Sequence, residues 1–483
     1  MTGADIRGPA PIGSPADGPR DVPATSAQRG LWLSESLDRQ RSAYVVVRAF
    51  TVEGPLDADA LDRAVTELVR RHDALRTALV ADGDALRQVV WPDVSAPVLR
   101  RHDLSGAEDP DVAASALVAA ETDLPFDLGR APLLRAWLAQ LAPQRHVLCM
   151  TLHHAVIDER SLEILADELG TLYTGGPLPA AAQYSECAER EAAWLATLDF
   201  AQRLEQRRRE LADAPAALAL PELATGDRPG HRAGALDALL SEPAVARVVA
   251  LGREHGATPF VALATVVYAV LYRWTGEPNL VVGVPASIRD EADAAHTVGL
   301  FINTVPVRTD WHDNPSWAQG ITRVRGATLR ALGARAVPFE RLVASLPQLR
   351  VAGRAPVVQF AFGYSESGQP LRLTLPGVAC RELPIAAGSP KFDLSIDCSL
   401  TPDGVRLTVE WDPRFLDEPL AQLLVEDLAV AFRHAAADPD AAVGDWPLHG
   451  GPDTDDDTLA AGALSREPAA DAAWEAFVTG ATI

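Results

Sequence analysis

Two adjacent histidines followed by an acid are the residues whose types and spacing point most directly to chemistry. His153 and His154 come directly after the apolar run Val147–Leu152, and Asp158 lies four positions after the second histidine. A neutral imidazole can take a proton from an attacking amine or hydroxyl, because imidazole titrates near neutral pH. The segment therefore predicts a general base, with His154, His153 and Asp158 as the catalytic group of residues.

The elements on either side must position these side chains. The run Val147–Leu152 is typical of a buried strand, and Leu162, Leu165 and Leu169 repeat at the spacing of an amphipathic helix. Successive side chains of a strand point to opposite faces, so only one of two neighbouring histidines can face a given cavity. The other histidine must then be structural, and Asp158 is close enough to fold back and hold the local backbone.

The alternative interpretation is that both histidines are polar residues that close a strand. A lone histidine usually deserves that interpretation. A histidine pair with a spaced acid, set between a buried strand and an amphipathic helix, is a rarer pattern and favours catalysis.

Composition excludes several classes of protein. The chain has 483 residues and a formal net charge of −23, which argues against a nucleic-acid partner. No stretch approaches the length of a membrane span, so we expect no membrane partner. The four cysteines lack the close spacing of a metal site, which predicts no bound metal and reduced thiols in the cytoplasm.

The chain is longer than a single hydrophobic core usually supports, and alternating helix and strand signals indicate two α/β units. We predict a helix over Phe260–Leu271 and strands over Leu280–Pro285 and Asn303–Arg308. The similar halves indicate two pseudo-equivalent lobes with a cleft between them. The predicted boundaries are a disordered leader over 1–24, a first lobe over 25–185, a charged linker over 186–234, a second lobe over 235–450 and an acidic tail over 451–483.

Several further motifs occur in an order that resembles one family, the condensation domains of nonribosomal peptide synthetases, in the chloramphenicol acetyltransferase-like superfamily. The segment His153–Glu159 resembles the family motif His-His-x-x-x-Asp-Gly. The other matching segments are Ser26–Trp32, Arg71–Thr77, Pro125–Leu128, Pro132–Arg135, Val298–Arg308, Val337–Glu340 and Lys391–Leu394.

This resemblance implies an α/β fold of two acetyltransferase-like lobes in a V-shaped pseudo-dimer with a central tunnel. It implies that an acyl or peptidyl carrier protein delivers the donor on a phosphopantetheine arm, while the chain itself binds no cofactor. His154 would act at the acceptor amine, which is carrier-bound or free. His153 and Asp158 would be chiefly structural, and either Arg289 or Arg76 would support Asp158.

Glu159 departs from the family motif, because it replaces a glycine. One interpretation places its carboxylate at a tunnel mouth, where it would bind substrate and favour the protonated form of His154. The alternative is a side chain that turns to solvent. Asn303 and Ser389 are further predicted substrate-binding residues: Ser389 could donate to a developing oxyanion, and Asn303 could instead satisfy local backbone.

The predicted function is therefore a stand-alone condensation enzyme that transfers an acyl group from a carrier-protein thioester to an amine. Two alternatives stay open at this point: ester formation from an alcohol, and a non-catalytic platform that recruits carrier proteins. The resemblance does not favour the platform, since non-catalytic members of the family usually lose the second histidine. It does not favour epimerisation either.

Overall fold

The computed structural model describes residues 18–37, 43–83, 85–93, 99–218, 220, 232–290, 292–351, 354–365, 370–385, 388–401, 403–448 and 459–465. The helices, numbered in chain order from α1 to α11, are Ser26–Leu37, Ala58–Arg71, Pro110–Asp123, Glu159–Tyr173, Tyr184–Leu195, Leu198–Leu211, Glu242–Glu254, Pro259–Thr275, Trp317–Gly333, Phe339–Ser345 and Glu418–Ala437. The strands, β1 to β15, are Arg20–Pro23, Val45–Glu53, Thr77–Asp82, Ala85–Val90, Leu99–Asp103, Leu134–Ala142, Arg145–His153, Gly234–Ser241, Asn279–Ser287, Ile302–Asp310, Phe360–Ser365, Ala379–Glu382, Leu394–Thr401, Gly404–Trp411 and Leu459–Ser465.

The first half of the chain folds around a sheet with the strand order β12-β2-β7-β6-β5. Strand β7 lies in its middle and is buried on both faces. Leu148, Met150 and Leu152 pack into one core with helix α4, while Val147 and Cys149 pack into another with helix α3. A strand covered on both faces carries a continuous apolar run rather than an alternating one, which is the pattern seen before His153.

The second half folds around a longer sheet with the order β10-β9-β11-β13-β14-β8-β15, which mixes parallel and antiparallel pairs. Helices α7, α8, α9 and α11 pack against one another and supply most of its core. The predicted helix over Phe260–Leu271 is confirmed within α8, and the predicted strands over Leu280–Pro285 and Asn303–Arg308 are confirmed within β9 and β10. The fold class, a mixed α/β protein with a sheet in each half, is as predicted.

Three predicted boundaries need correction. The leader does not extend to residue 24, because Arg20–Pro23 pairs with β4 as strand β1. The lobes are not separate along the chain, since strand β12 from the second half pairs with β2 of the first. Strands β1 and β12 have four residues each, which is too few to show a hydrophobic period in the sequence. The tail contributes strand β15, which pairs with β8.

The linker is also more buried than its charged composition predicted. It contains helix α6 and most of α5, and Arg207 of α6 is buried and donates to the carbonyl oxygen of Pro306 at 2.6 Å. Arg308 of β10 in turn donates to the carbonyl oxygen of Glu210 at 3.0 Å. These contacts fix α6 to the second sheet. Some arginines of this region therefore make specific hydrogen bonds with the backbone, and are not merely solvated.

No single helix of the described residues has the length and apolar composition needed to cross a membrane. The two helices over Pro243–Glu254 and Pro259–Thr275 meet that requirement only together, as a pair bent by 112°.

Candidate active site

The two histidines lie where strand β7 ends. His153 is its last residue and donates its backbone N–H to the carbonyl oxygen of Leu133 at 3.1 Å. His154 begins a short 3-10 turn, and its N–H donates to the carbonyl oxygen of Tyr44 at 2.8 Å. The chain therefore changes direction between the two histidines, and their rings enter different surroundings as predicted, although the turn and not strand alternation separates them.

His153 is fully buried and makes hydrogen bonds with both ring nitrogens. Its Nδ1 accepts from the N–H of Ala155 at 3.1 Å, so Nε2 carries the proton and donates to Glu35 at 2.8 Å. The rings of Tyr44 and Phe126 pack edge-on against it. With neither nitrogen free, His153 holds the turn and helix α1 together, which corresponds to the structural role predicted for it.

His154 has one ring nitrogen committed and one free for chemistry. Its Nδ1–H donates to the carbonyl oxygen of Ile157 at 2.8 Å, so the lone pair of the neutral ring lies on Nε2. Burial, together with the positive charge of Lys391, lowers the pKa of His154 to about 4. The imidazole is therefore neutral at physiological pH and can accept a proton at Nε2.

Asp158 joins the two halves of the molecule behind the histidine turn. It caps helix α4 by accepting from the N–H of Ser161 at 2.8 Å, and it accepts from the N–H of Phe301 at 3.2 Å. Arg289 pairs with it in a fork, with its Nη2 at 2.6 Å from Oδ1 and its Nε at 3.1 Å from Oδ2. The two side chains are only 2% and 7% exposed. Both oxygens of the Asp158 carboxylate thus accept hydrogen bonds from the protein. The carboxylate stabilises the backbone of the site and does not face the cavity.

The structure decides between the two arginines that the sequence left open. Arg289 is the partner of Asp158, and it also donates to the carbonyl oxygen of Thr297 at 2.8 Å and stacks over the ring of Phe301. Arg76 donates instead to the carbonyl oxygens of Val69 and Trp91. It therefore supports the first lobe locally, and its predicted pairing with Asp158 is wrong.

His154 lines a cavity of about 1010 Å³ that both halves of the chain enclose. The first half contributes helix α1 and the segment around Tyr44, and the second contributes the strands β9, β11, β13 and β14 and helix α10. The lining includes Lys391, Glu340, Asp397 and Glu410. A cavity between the two halves is the feature that the predicted central tunnel requires.

Glu159 does not belong to this cavity. It is the first residue of α4, its side chain is 62% exposed, and it pairs with Arg48 at 3.1 Å. The charge that perturbs His154 is the positive one of Lys391. The structure therefore favours the solvent-facing alternative for Glu159: its carboxylate is not among the charges that shift the pKa of His154, and its binding of substrate stays a prediction.

Replacement of Glu159 by glycine is expected to change kcat/KM by no more than about 2-fold, because exposed ion pairs contribute little. The pH–rate profile should also be unchanged, since Glu159 does not influence the pKa of His154. The measurement is kcat/KM between pH 6 and 9, with Glu159→Gln as the size-matched control. A displaced profile for the glycine variant would contradict this placement.

Lys391 is the single lysine of the chain, and it lines the cavity with a side chain that is exposed to the space within it. Burial lowers its pKa, while the carboxylates of Glu410 and Asp397 oppose that effect. Lys391 and the neutral ring of His154 both line the cavity, and Lys391 supplies the positive charge beside the ring. The sequence motif containing Lys391 gave no indication that it would act on the histidine.

Replacement of Lys391 by methionine is expected to raise the pKa of His154 above about 4, because a neighbouring positive charge disfavours the imidazolium. The value should stay below that of a free histidine, since burial persists. The measurement is an NMR titration of the His154 ring, with the exposed Arg406→Met as control. An unchanged pKa would mean that the two side chains do not interact.

The substrate-binding role of Asn303 and Ser389 stays a prediction, since neither is among the described residues that line the cavity. Asn303 donates from Nδ2 to the carbonyl oxygens of Arg335 and Val337, both at 2.7 Å, and its Oδ1 accepts from the N–H of Phe339 at 3.0 Å. The whole amide is thus bound to the loop before α10, as the alternative interpretation had it. Ser389 is half-buried and precedes two lining residues, but it is not itself among the described residues that line the cavity.

Two side chains of helix α1 were not predicted to contact the histidine turn. Gln28 donates to the carbonyl oxygen of Ala155 at 3.1 Å, and Glu35 accepts from His153. These residues are seven positions apart and so lie on the same face of the helix. That spacing was visible in the sequence, but nothing local indicated which element this face would contact.

In the described part of the chain, no group of three or more His, Cys, Asp and Glu residues could hold a metal ion.

Comparison with protein families gives one match over most of the chain. A family model described as "Condensation domain" matches residues 19–451. Phosphinothricin tripeptide synthetase PhsB from Streptomyces viridochromogenes is 34% identical over 431 residues, covering 86% of this chain and 36% of that protein. Surfactin synthase subunit 1 from Bacillus subtilis is 28% identical over 442 residues, covering 90% of this chain and 12% of that protein. The chain thus spans little more than a third, or less, of the length of these curated relatives.

Solved structures agree on the fold. The X-domain from teicoplanin biosynthesis superposes with a TM-score of 0.81 at 24% identity, covering 91% of this chain and all of that one. The first condensation domain of the calcium-dependent antibiotic synthetase, in complex with a substrate analogue, gives 0.70 at 26% identity, covering 89% of this chain and all of that one.

Proposed function

The chain belongs to the condensation domain family, and from this premise we propose that it transfers an acyl group from a carrier-protein thioester to an amine. The product is an amide in the assembly of a nonribosomal peptide or a hybrid metabolite. The donor reaches the cavity on the phosphopantetheine arm of a carrier protein, and the acceptor is either carrier-bound or free. The proposal extends to a cytoplasmic location, since the described cysteines form no disulfide.

One observation carries this proposal. The Nδ1–H of His154 is committed to the carbonyl oxygen of Ile157, so the ring presents the basic lone pair of Nε2 at the cavity wall. A neutral imidazole fixed in that tautomer can accept a hydrogen bond from an attacking amine and orient its lone pair. Asp158 and Arg289 hold the turn that carries the ring but do not reach the reacting atoms.

The reaction proceeds by addition and elimination. The amine nitrogen attacks the thioester carbonyl carbon and forms the new C–N bond, while the carbonyl oxygen takes up negative charge. The amine proton passes to Nε2 of His154. The C–S bond then breaks, the amide forms, and the proton is delivered to the departing thiolate, so that His154 returns to its neutral state. Much of the rate comes from holding the two reactants together in one cavity.

The low pKa of His154 limits its role in this sequence. A ring with a pKa of about 4 is too weak a base to deprotonate an ammonium ion before attack. The acceptor must therefore arrive as the free amine. His154 can take its proton once the attacking nitrogen becomes strongly acidic in the tetrahedral adduct.

The experiment is incubation of the chain with acyl-loaded carrier protein and a panel of amines and alcohols, followed by intact-mass analysis of the carrier protein. Loss of the acyl mass with a matching amide product supports the proposal. Transfer to alcohols alone would make the protein an ester-forming enzyme of the same family. A donor thioester that persists with every acceptor would leave the recruitment platform as the function.

A further inference from the structure

Glu340, in helix α10, is a buried carboxylate that the reaction described above does not use. It lines the cavity, and its Oε2 is a buried atom with no hydrogen-bond partner among the described residues. An unpaired polar atom inside a protein is costly, and most buried polar atoms are satisfied. The described residues therefore leave one oxygen of this carboxylate without a hydrogen-bond partner, and a ligand in the cavity could supply it.

The space for this carboxylate depends on Gly30 of helix α1. A Cβ atom built at Gly30 would overlap Cγ of Glu340 and would lie 2.7 Å from its Oε1. Both residues line the cavity, and helices α1 and α10 pack against each other. A residue with a side chain at position 30 would displace the carboxylate. Because position 30 is glycine, the carboxylate can lie between the two helices at the cavity wall.

Asn303 holds Glu340 in this position. Its side-chain amide binds the backbone of Arg335, Val337 and Phe339, the loop that leads directly into Glu340. The loop is therefore fixed before any ligand enters. A charged group held in advance recognises its partner at a lower ordering cost than a mobile one.

The charges around Glu340 leave an excess of negative charge. Burial raises its pKa to about 7, the nearby carboxylate of Glu191 adds to this effect, and Arg341 opposes it. Glu191 accepts from the N–H of Ser26 at 2.8 Å, and Arg341 donates to the hydroxyl of the same serine at 3.4 Å. The one guanidinium of Arg341 thus lies within electrostatic range of two carboxylates, and a further cation would balance the second of them.

We propose that Glu340 is a specificity-determining residue that binds a cationic group, an ammonium or a guanidinium, on the side chain of one of the two substrates. This inference rests on the proposed acyl transfer and names a substrate class for it. Whether the donor or the acceptor carries the cation is decided by separate arms of one experiment.

The first arm compares arginine amide with citrulline amide as acceptors, because the two have nearly the same shape and one nucleophilic amine each, but only arginine carries a charge. The second arm compares N-acetylarginyl and N-acetylcitrullinyl thioesters on the carrier protein as donors. We expect kcat/KM to favour the arginine compound by about 10- to 100-fold in one arm, the range of a hydrogen bond between charged groups.

Two variants locate this preference at Glu340. Glu340→Gln should remove it by lowering the rate with the arginine compound alone. Gly30→Ala should also remove it, because a Cβ atom at position 30 displaces the carboxylate. The matched control is Glu254→Gln, an exposed glutamate on helix α7 outside the cavity, and it should keep the preference. Equal rates for the arginine and citrulline compounds in both arms of the wild type would overturn the inference.

A binding measurement separates this inference from the proposed function. Calorimetry with arginine amide and with N-acetylarginine amide should show binding to the wild type that Glu340→Gln weakens about 10-fold or more. Such binding without acyl transfer would mean that only the proposed function fails. Acyl transfer with no dependence on residue 340, or equal binding to wild type and Glu340→Gln, would mean that the inference fails.

Discussion

Replacement of His154 by alanine is expected to lower kcat/KM for acyl transfer by about 10²- to 10⁴-fold, the range for a positioned acid–base group. The reason is that Nε2 of His154 is the basic atom at the cavity wall, fixed by the bond from Nδ1–H to Ile157. The fold should persist, because the ring faces the cavity and the backbone contacts of the turn do not depend on it. The measurement is single-turnover transfer from a loaded carrier protein.

The matched control for this variant is His312→Ala, which removes an exposed histidine far from the cavity lining. It should leave the rate unchanged. Circular dichroism and thermal unfolding of both variants should resemble those of the wild type. Full activity of His154→Ala would remove the general-base role. Full biological function without detectable transfer would favour the recruitment platform.

Replacement of Asp158 by alanine is expected to lower the free energy of unfolding by about 3–5 kcal/mol, the usual cost of leaving one member of a buried ion pair alone. Arg289 would remain buried without its partner, and helix α4 would lose its N-terminal cap. The two halves of the chain would also lose the link between residues 158–161 and 289–301. The measurement is urea unfolding followed by fluorescence, together with soluble yield.

Two further variants test the cause of this loss. The double variant Asp158→Ala with Arg289→Met should recover part of the stability, because no unpaired charge is then buried. Asp313→Ala breaks the pair with Arg323 that involves an exposed carboxylate, and should cost less than about 1 kcal/mol. An Asp158→Ala variant as stable as Asp313→Ala would show that the buried pair contributes nothing particular.

The local arrangement around the histidines was predictable from sequence because it depends on short-range patterns. The unbroken apolar run reflects a strand covered on both faces, and leucines at helical spacing mark helix α4. The strand ends at His153, and the turn that begins at His154 separates the two rings. These relations involve residues within about 25 positions of one another. The mixed α/β class and the existence of two units follow from the same kind of pattern.

The partners of these residues could not be predicted, because they come from distant parts of the chain. Asp158 pairs with Arg289 across 131 positions, and no local feature distinguishes Arg289 from Arg76. Strand β12 of the second half joins the sheet of the first, and β1 pairs with β4. Neither pairing was predictable, because β1 and β12 are too short to show a hydrophobic period. Such contacts are decided by the packing of whole elements.

Glu159 and Glu340 show the difference most clearly. Adjacency in sequence suggested that Glu159 would act on His154, but the start of helix α4 turns it toward Arg48, which lies 111 positions earlier. Glu340 looked like one residue of a motif, and only the packing of α10 against Gly30 makes it a carboxylate without a partner. Residue types and local spacing determined which chemistry the chain can carry. The tertiary structure alone decided which charges meet, because the energy of a charged group depends on its burial and on neighbours that sequence order does not specify.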